Sequence, residues 1–362
     1  MVSRRLVLAG ATGLVAGAFP LTRALADDGS SGAIPQTLAL PRPRLADGAY
    51  PAAADFAVTH LGVSWQGASA GLRLRTRAGW GEWRTLGGCP AGRDDRLAAA
   101  AKGALLVAPG VVGYELAGGA ASVVELNTVD GPTRARAAAP AGRLPIGRRG
   151  HARVRYLSRR AWGADESLRF SATGTENWVP AYYPVQTVTV HHTAGINDDP
   201  DPAATIRGIY YDQAVAQGWG DVGYHLFIDE AGQVYEGRVS GDDALPVLGG
   251  PVTADGRPQA VNGAHVVTYN AGNVGVCLLG HFNERQPTAA ARRSLTLVLA
   301  ALAKACQLDP LGVTNYVNPV NGKARTVNTI SGHRDWAATD CPGHAFYPEL
   351  PGLRQDVADL IR

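Results

Sequence analysis

Cysteine is scarce in this 362-residue chain, and Cys89, Cys277, Cys306 and Cys341 are too scattered for a disulfide framework. That excludes a small stapled scaffold. Long apolar runs are missing as well: past residue 26 no stretch reaches the roughly 20 apolar residues that a membrane span needs. A strong charge bias is also absent, since charged residues make up 18% against 46% hydrophobic ones, a balance that fits soluble globular folding and leaves bulk disorder out. At this length two domains of ordinary size are expected.

The N-terminus is not expected to join the fold. Ser3-Arg4-Arg5-Leu6-Val7-Leu8 resembles a twin-arginine export signal, and a short apolar run leads on to Ala24-Leu25-Ala26, an A-x-A type cleavage site. A mature chain from Asp27 is expected. Removing residues 1–26 takes away three arginines and no acid, so the formal charge of +3 falls to zero. Nothing in that balance points to nucleic acid.

What the chain does contain falls into two parts. Residues 27–51, rich in Pro, Ala and Gly, read as an extended leader. Across 52–130, segments such as Phe56 to Trp65 and Gly71 to Arg77 alternate apolar with polar, the period of half-buried strands. A small antiparallel β-sandwich is expected there. Its Trp65, Trp80 and Trp83 read either as core or as a platform for stacking sugars. Residues 131–160 carry nine arginines and no acid, so 131–155 is predicted to be an extended linker, with adhesion to an anionic polymer as its functional alternative. From 156 onward, β-branched runs alternate with helical patterns. Val185 to Val190 is a strand, Asp201-Pro202 opens a helix that runs to Gln217, and Asn273 to Leu279 is buried strand. Thr288 to Cys306 and Pro351 to Arg362 close the pattern as helices. This part is predicted to be a three-layer α/β domain around a mixed sheet. The apolar settings of Cys277 and Cys306 suggest two buried thiols, a bridge between them being the alternative in an exported protein.

Three stretches of this second part read as one site: Val190-His191-His192-Thr193, Asp221-Val222-Gly223-Tyr224-His225, and Gly332-His333-Arg334-Asp335-Trp336 running on to Asp340-Cys341-Pro342-Gly343. Together they offer two imidazoles, one thiolate and a phenol, the ligand count of a catalytic zinc site with one position left for water. A structural zinc site would normally carry a fourth protein ligand.

These motifs, with Ser158-Arg159-Arg160-Ala161-Trp162-Gly163, Gly263-Ala264-His265 and Tyr269-Asn270, resemble the peptidoglycan recognition protein domain and the type 2 N-acetylmuramoyl-L-alanine amidases, phage amidase lysozymes included. The resemblance covers about 156–362. It implies His191, His333 and Cys341 as zinc ligands and Tyr224 as the catalytic tyrosine. Thr339 stands where phage relatives place a lysine and is taken as the second catalytic position, while His265 and Asn270 match groove positions that bind substrate. The implied activity is zinc-dependent hydrolysis of the lactyl amide between muramic acid and L-alanine of peptidoglycan. The implied setting is secreted and cell-wall associated, with muropeptides as partners, no nucleic acid, and a monomeric chain. Binding-only members lack the cysteine, so Cys341 favours an enzyme over a sensor or wall-adhesion protein. His192 follows His191 on a strand, where side chains alternate, and is expected to turn away from the metal.

Overall fold

The computed structural model describes residues 33–67, 69–87, 89–95, 102–135, 142–146, 152–241 and 246–362. The export signal at 1–26, and Arg136, Arg148 and Arg149, lie outside the described residues.

The N-terminal part is an antiparallel sandwich of two five-stranded sheets. Leu61, Val63 and Trp65 alternate along His60–Trp65 and meet Leu72, Tyr114 and Leu116 from the opposite sheet. Fully burying each such side chain contributes about 1.5–3 kcal/mol. The predicted leader belongs to this sandwich, because Leu38–Pro41 pairs with Ala121–Asn127 and Gly48–Pro51 pairs with Val111–Ala117. Trp65 is core, whereas Trp80 and Trp83 stay exposed with the Arg73 guanidinium 4.8 and 5.0 Å from their ring centres.

The C-terminal part is built on a seven-stranded mixed sheet. Across it run Gly142–Ile146, Ala152–Leu157, Val234–Glu236, Leu226–Ile228, Asn273–Leu278, Thr187–His192 and Ile330–Gly332. The first two form a hairpin, so much of the stretch predicted to be a linker is instead an edge of this sheet. Helices α1 (Arg159–Trp162), α2 (Pro202–Tyr211), α3 (Ala289–Ala305) and α4 (Leu350–Ile361) complete the layers. Val188, Val190, Val274 and Val276 pack one sheet face on Leu295, Val298, Leu299 and Leu353 of α3 and α4. Phe227, Cys277 and Leu279 pack the other face on Ile206 and Ile209 of α2.

Local chemistry sets the helix ends as the sequence suggests. Asp201 accepts from the Ala204 N–H at 2.9 Å with Pro202 in the first turn, and Thr288 accepts from the Ala291 N–H at 3.1 Å. Past Tyr211, α2 widens into a π-turn over Asp212–Ala216, a form common at functional sites. Cys277, Cys306 and Cys341 carry thiols, so no bridge joins the first two; burial pushes the Cys306 thiol up to about 12. Among the described residues no helix is long and apolar enough to cross a membrane.

Candidate metal centre and catalytic cleft

Two parallel neighbours in the sheet bring the site together. Thr187–His192 pairs with Ile330–Gly332, and His191 near the end of the first strand stands beside His333 just past the second, with ring centres 4.6 Å apart. Cys341 returns on the loop after His333. That loop is closed by Arg334 N–H donating to the Cys341 carbonyl at 3.0 Å and by Asp335 accepting from Gly332 N–H at 2.8 Å. The ligand atoms of His191, His333 and Cys341 lie within 4.8 Å of one another, and all three residues are buried.

The donor chemistry fits a metal. Neither ring nitrogen of His333 has a hydrogen-bond partner although the residue is fully buried, an arrangement that costs free energy unless something binds there. Cys341 Sγ is 3.7 Å from His191 Nδ1, accepts from the His192 N–H at 3.3 Å and lies 3.8 Å from the His192 carbonyl oxygen. His191 Nε2 is 3.0 Å from His265 Nδ1, and His265 Nε2 is 3.0 Å from the Asn273 carbonyl oxygen. Because a carbonyl only accepts, His265 carries its proton on Nε2 and accepts on Nδ1. His191 therefore donates from Nε2, which leaves the Nδ1 lone pair facing Cys341 and His333. Burial, then the neighbouring His333 and His265, hold His191 well below the ordinary imidazole range; burial and His225 do the same for His265. Neutral imidazoles are what a metal requires.

Tyr224 reaches the site from the loop before Leu226–Ile228, its ring centre 5.2 Å from that of His191. Its position is fixed by neighbours on both sides. Gln213 in the π-turn accepts from the Gly223 N–H at 2.8 Å, and the Tyr224 carbonyl accepts from the Arg238 N–H at 2.8 Å. Gly223 can only be glycine here, since a Cβ would lie 2.7 Å from the Ala264 carbonyl oxygen. Beneath this loop Asp221 is fully buried between Arg159 at 3.0 Å and Arg238 at 2.7 Å. Burial acts to raise its pKa, but the two guanidinium groups and the Val239 N–H outweigh it and hold the carboxyl below its usual range.

The remaining predicted residues fall in different places. Thr339 accepts the Cys341 N–H at 3.2 Å, at the rim of the ligand loop. His192 Nδ1 accepts from the Phe282 N–H at 3.3 Å while one edge lines the cleft next to Tyr224. His265 and Asn270, predicted to bind substrate, are fully buried and face protein. His265 backs His191, as described. Asn270 Oδ1 accepts from the His265 and Val266 N–H groups, and its amide nitrogen donates to the Gly92 carbonyl and Asp94 carboxylate of the sandwich. Sequence reasoning missed the Arg159, Asp221 and Arg238 cluster, although Asp221 and Arg159 sit inside motifs quoted above. It also missed Arg93 and Asp94, which reach the Asn177 carbonyl and the Ala271 N–H over eighty residues away.

A family profile described as N-acetylmuramoyl-L-alanine amidase matches residues 181–344. Peptidoglycan-recognition protein SC2 of Drosophila melanogaster is 28% identical over 200 residues, 54% of this chain and 85% of that protein. Peptidoglycan recognition protein 1 of Bos taurus is 31% identical over 166 residues, 45% of this chain and 70% of that protein. The crystal structure of Drosophila peptidoglycan recognition protein SD, 25% identical, covers 53% of this chain and 90% of its own with a TM-score of 0.38. With its motifs in order, a matching profile and a relative matched over more than two thirds of its length, this chain belongs to the peptidoglycan recognition protein and type 2 amidase family.

Proposed function

We propose that this chain is a zinc-dependent N-acetylmuramoyl-L-alanine amidase, cutting the lactyl amide that joins muramic acid to L-alanine in peptidoglycan. The observation that carries the reading is the convergence of His191, His333 and Cys341 within 4.8 Å, with both His333 ring nitrogens lacking a protein partner. Three protein ligands of this kind make a catalytic zinc set rather than a structural one. Zinc held there supplies Lewis acidity, polarising the amide carbonyl and bringing the pKa of a water to about 7.

The chain's own residues supply the remainder. Tyr224 donates its phenol proton in a hydrogen bond to the carbonyl oxygen as charge develops on it, and the T-shaped contact with His191 keeps that phenol next to the reacting carbon. The new C–O bond forms as the carbonyl π bond opens onto its oxygen; the π bond then re-forms as the C–N bond breaks, and the proton given up by water ends on the departing amine. Thr339, two residues from Cys341, is the proposed second catalytic position on that rim. His265 holds the His191 tautomer, and Asn270 holds the loop that carries His265; both are positioning residues.

The same reading includes export by a twin-arginine signal, location at the cell wall and peptidoglycan fragments as partners. It also includes adhesion of the arginine-rich 131–155 stretch to anionic wall polymers. Wall binding that ignores salt would remove support for that adhesion, because exposed charges are screened within about 10 Å at 0.1 M salt.

Mass spectrometry of a muramoyl-tetrapeptide incubated with the purified chain tests the central claim. Free tetrapeptide should appear, stop with a zinc chelator and return with added zinc. A folded, zinc-loaded protein that releases no peptide would leave a muropeptide-binding sensor in its place.

A further inference from the structure

The sandwich bridges the cleft above Tyr224 and is pinned at both rims. On the α2 rim, His60 Nε2 lies 3.2 Å from Thr205 Oγ1, and a Cβ on Gly62 would stand 2.6 Å from Asp212 Oδ1. One on Gly103 would stand 2.2 Å from Gln217 Nε2. Such spacing sets the sandwich in close packing against the ends of the Asp212 and Gln217 side chains. On the far rim the Asp94 carboxylate accepts from the backbone N–H groups of Asn270 and Ala271, at 3.0 Å each, and from the Asn270 and Asn318 side-chain amides at 2.7 Å each. Arg93 lies over Trp178 at 4.6 Å and donates to the Trp219 carbonyl at 2.8 Å.

Between these pins the cleft has two connected compartments. The inner one, with Tyr224, His192 and Trp219 on one side and Ala91 and Leu105 of the sandwich on the other, holds about 70 Å³. The outer one holds about 430 Å³, with Arg84, Leu86 and Leu105 facing Ala194, Asn197 and His281. The two share Gly87, Leu105 and Thr193, so the outer compartment is a route to Tyr224.

We propose that the sandwich is the second wall of the catalytic cleft, with Arg84, Leu86 and Leu105 as specificity-determining residues that admit short, soluble muramoyl peptides and turn away polymeric wall. This rests on the amidase reading and names the substrate class within it. A continuous glycan strand has to lie along a groove open at both ends. Here both rims are bridged, so a ligand enters through the outer mouth by its end. Arg84 at that mouth suits the carboxylates of a stem peptide.

The test compares release of peptide from a soluble muramoyl-tetrapeptide and from purified sacculi, using the full zinc-loaded chain. Asp94→Ala unpins the far rim and should raise the sacculus-to-fragment rate ratio about tenfold or more, the scale of discrimination by pocket contacts. Gly87→Trp plugs the mouth: Gly87 is exposed, and the nearest atom to a Cβ there is 3.9 Å away. It should raise KM for the fragment about tenfold while zinc content and kcat hold. A rate ratio unmoved by Asp94→Ala together with a fragment KM within twofold in Gly87→Trp (about 0.4 kcal/mol) would overturn the proposal. If Asp94→Ala does not fold, Gly87→Trp alone decides by the same KM criterion. If the zinc-loaded wild type cleaves neither substrate, the amidase reading fails by itself. Calorimetric binding of the tetrapeptide then decides the wall: binding about tenfold weaker in Gly87→Trp supports it, and equal binding sinks it.

Discussion

The Nε2 of His191 and the Nδ1 of His265 lie 3.0 Å apart in a fully buried contact, and the Asn273 carbonyl beyond His265 fixes the direction of the proton between them. His265 therefore acts on the candidate metal ligand His191, not on the cleft. Replacing it with leucine should weaken zinc binding 10–100-fold, the usual effect of losing an outer partner of a ligating histidine. Gly275→Ala should move zinc affinity the same way, since its methyl would meet the His265 ring at 2.6 Å. Competition against a chromogenic chelator reads both, with far-ultraviolet dichroism as the folding control.

Tyr224 and Cys341 should separate chemistry from metal binding. Tyr224→Phe is expected to lower kcat by about 10²–10³, the effect of removing one oxyanion donor, with zinc content unchanged. Cys341→Ala should lose zinc and turnover together. A Phe variant with wild-type kcat would take Tyr224 out of the mechanism.

The buried cluster under the Tyr224 loop predicts an acid-sensitive fold. Asp221→Asn leaves Arg159 and Arg238 facing a neutral group and should cost about 3–5 kcal/mol in urea unfolding at pH 7. The folded carboxyl titrates below its unfolded value of about 3.9. Its contribution is therefore complete above that pH and lost as pH falls through the folded value. Wild type and variant should converge toward acid.

Asp212 predicts the opposite slope. It sits against Gly62 with Oδ1 unpartnered and Oδ2 accepting from Gln217 Nε2 at 3.0 Å, and burial pushes its pKa up to about 7. His60, two residues from Gly62 on the same strand, is held by burial near a pKa of about 4 and adds no positive charge at neutral pH. Between about 3.9 and 7 the folded chain keeps a proton on Asp212 that the unfolded chain has released, so stability falls as pH rises through that window. Asp212→Asn should raise Tm at pH 8, by about 2–4 °C for each kcal/mol recovered, and leave it nearly unchanged at pH 4. A scanning calorimetry gain of equal size at both values would count against this account.

Much of the architecture is written in local pattern. Period-two alternation marks His60–Trp65 and Ala70–Thr76, and cap chemistry at Asp201 and Thr288 marks α2 and α3. The candidate metal ligands are equally legible, because few side chains bind zinc and the motifs that carry them are short. Local pattern misleads where a long-range partner intervenes. Arginine-rich 131–155 reads as a repelling linker, yet Gly142–Ile146 pairs with Ala152–Leu157, which pairs in turn with Val234–Glu236, since backbone hydrogen bonds do not depend on side-chain charge.

The sequence by itself carried the apolar alternation of the N-terminal strands, the caps that open α2 and α3, and the donor chemistry of His191, His333 and Cys341, while the role of Tyr224 comes from the family resemblance. Only the tertiary structure decided which residues face the cleft. It buried His265 and Asn270 behind it, and it set Arg93 and Asp94 of the sandwich against Trp219 and Asn270. It also covered both faces of His60–Trp65, where alternation alone promises one wet side. The reason is physical: a strand's own pattern encodes what it shows to its sheet partner, whereas docking of one domain on another depends on shape and on charges brought together from distant parts of the chain.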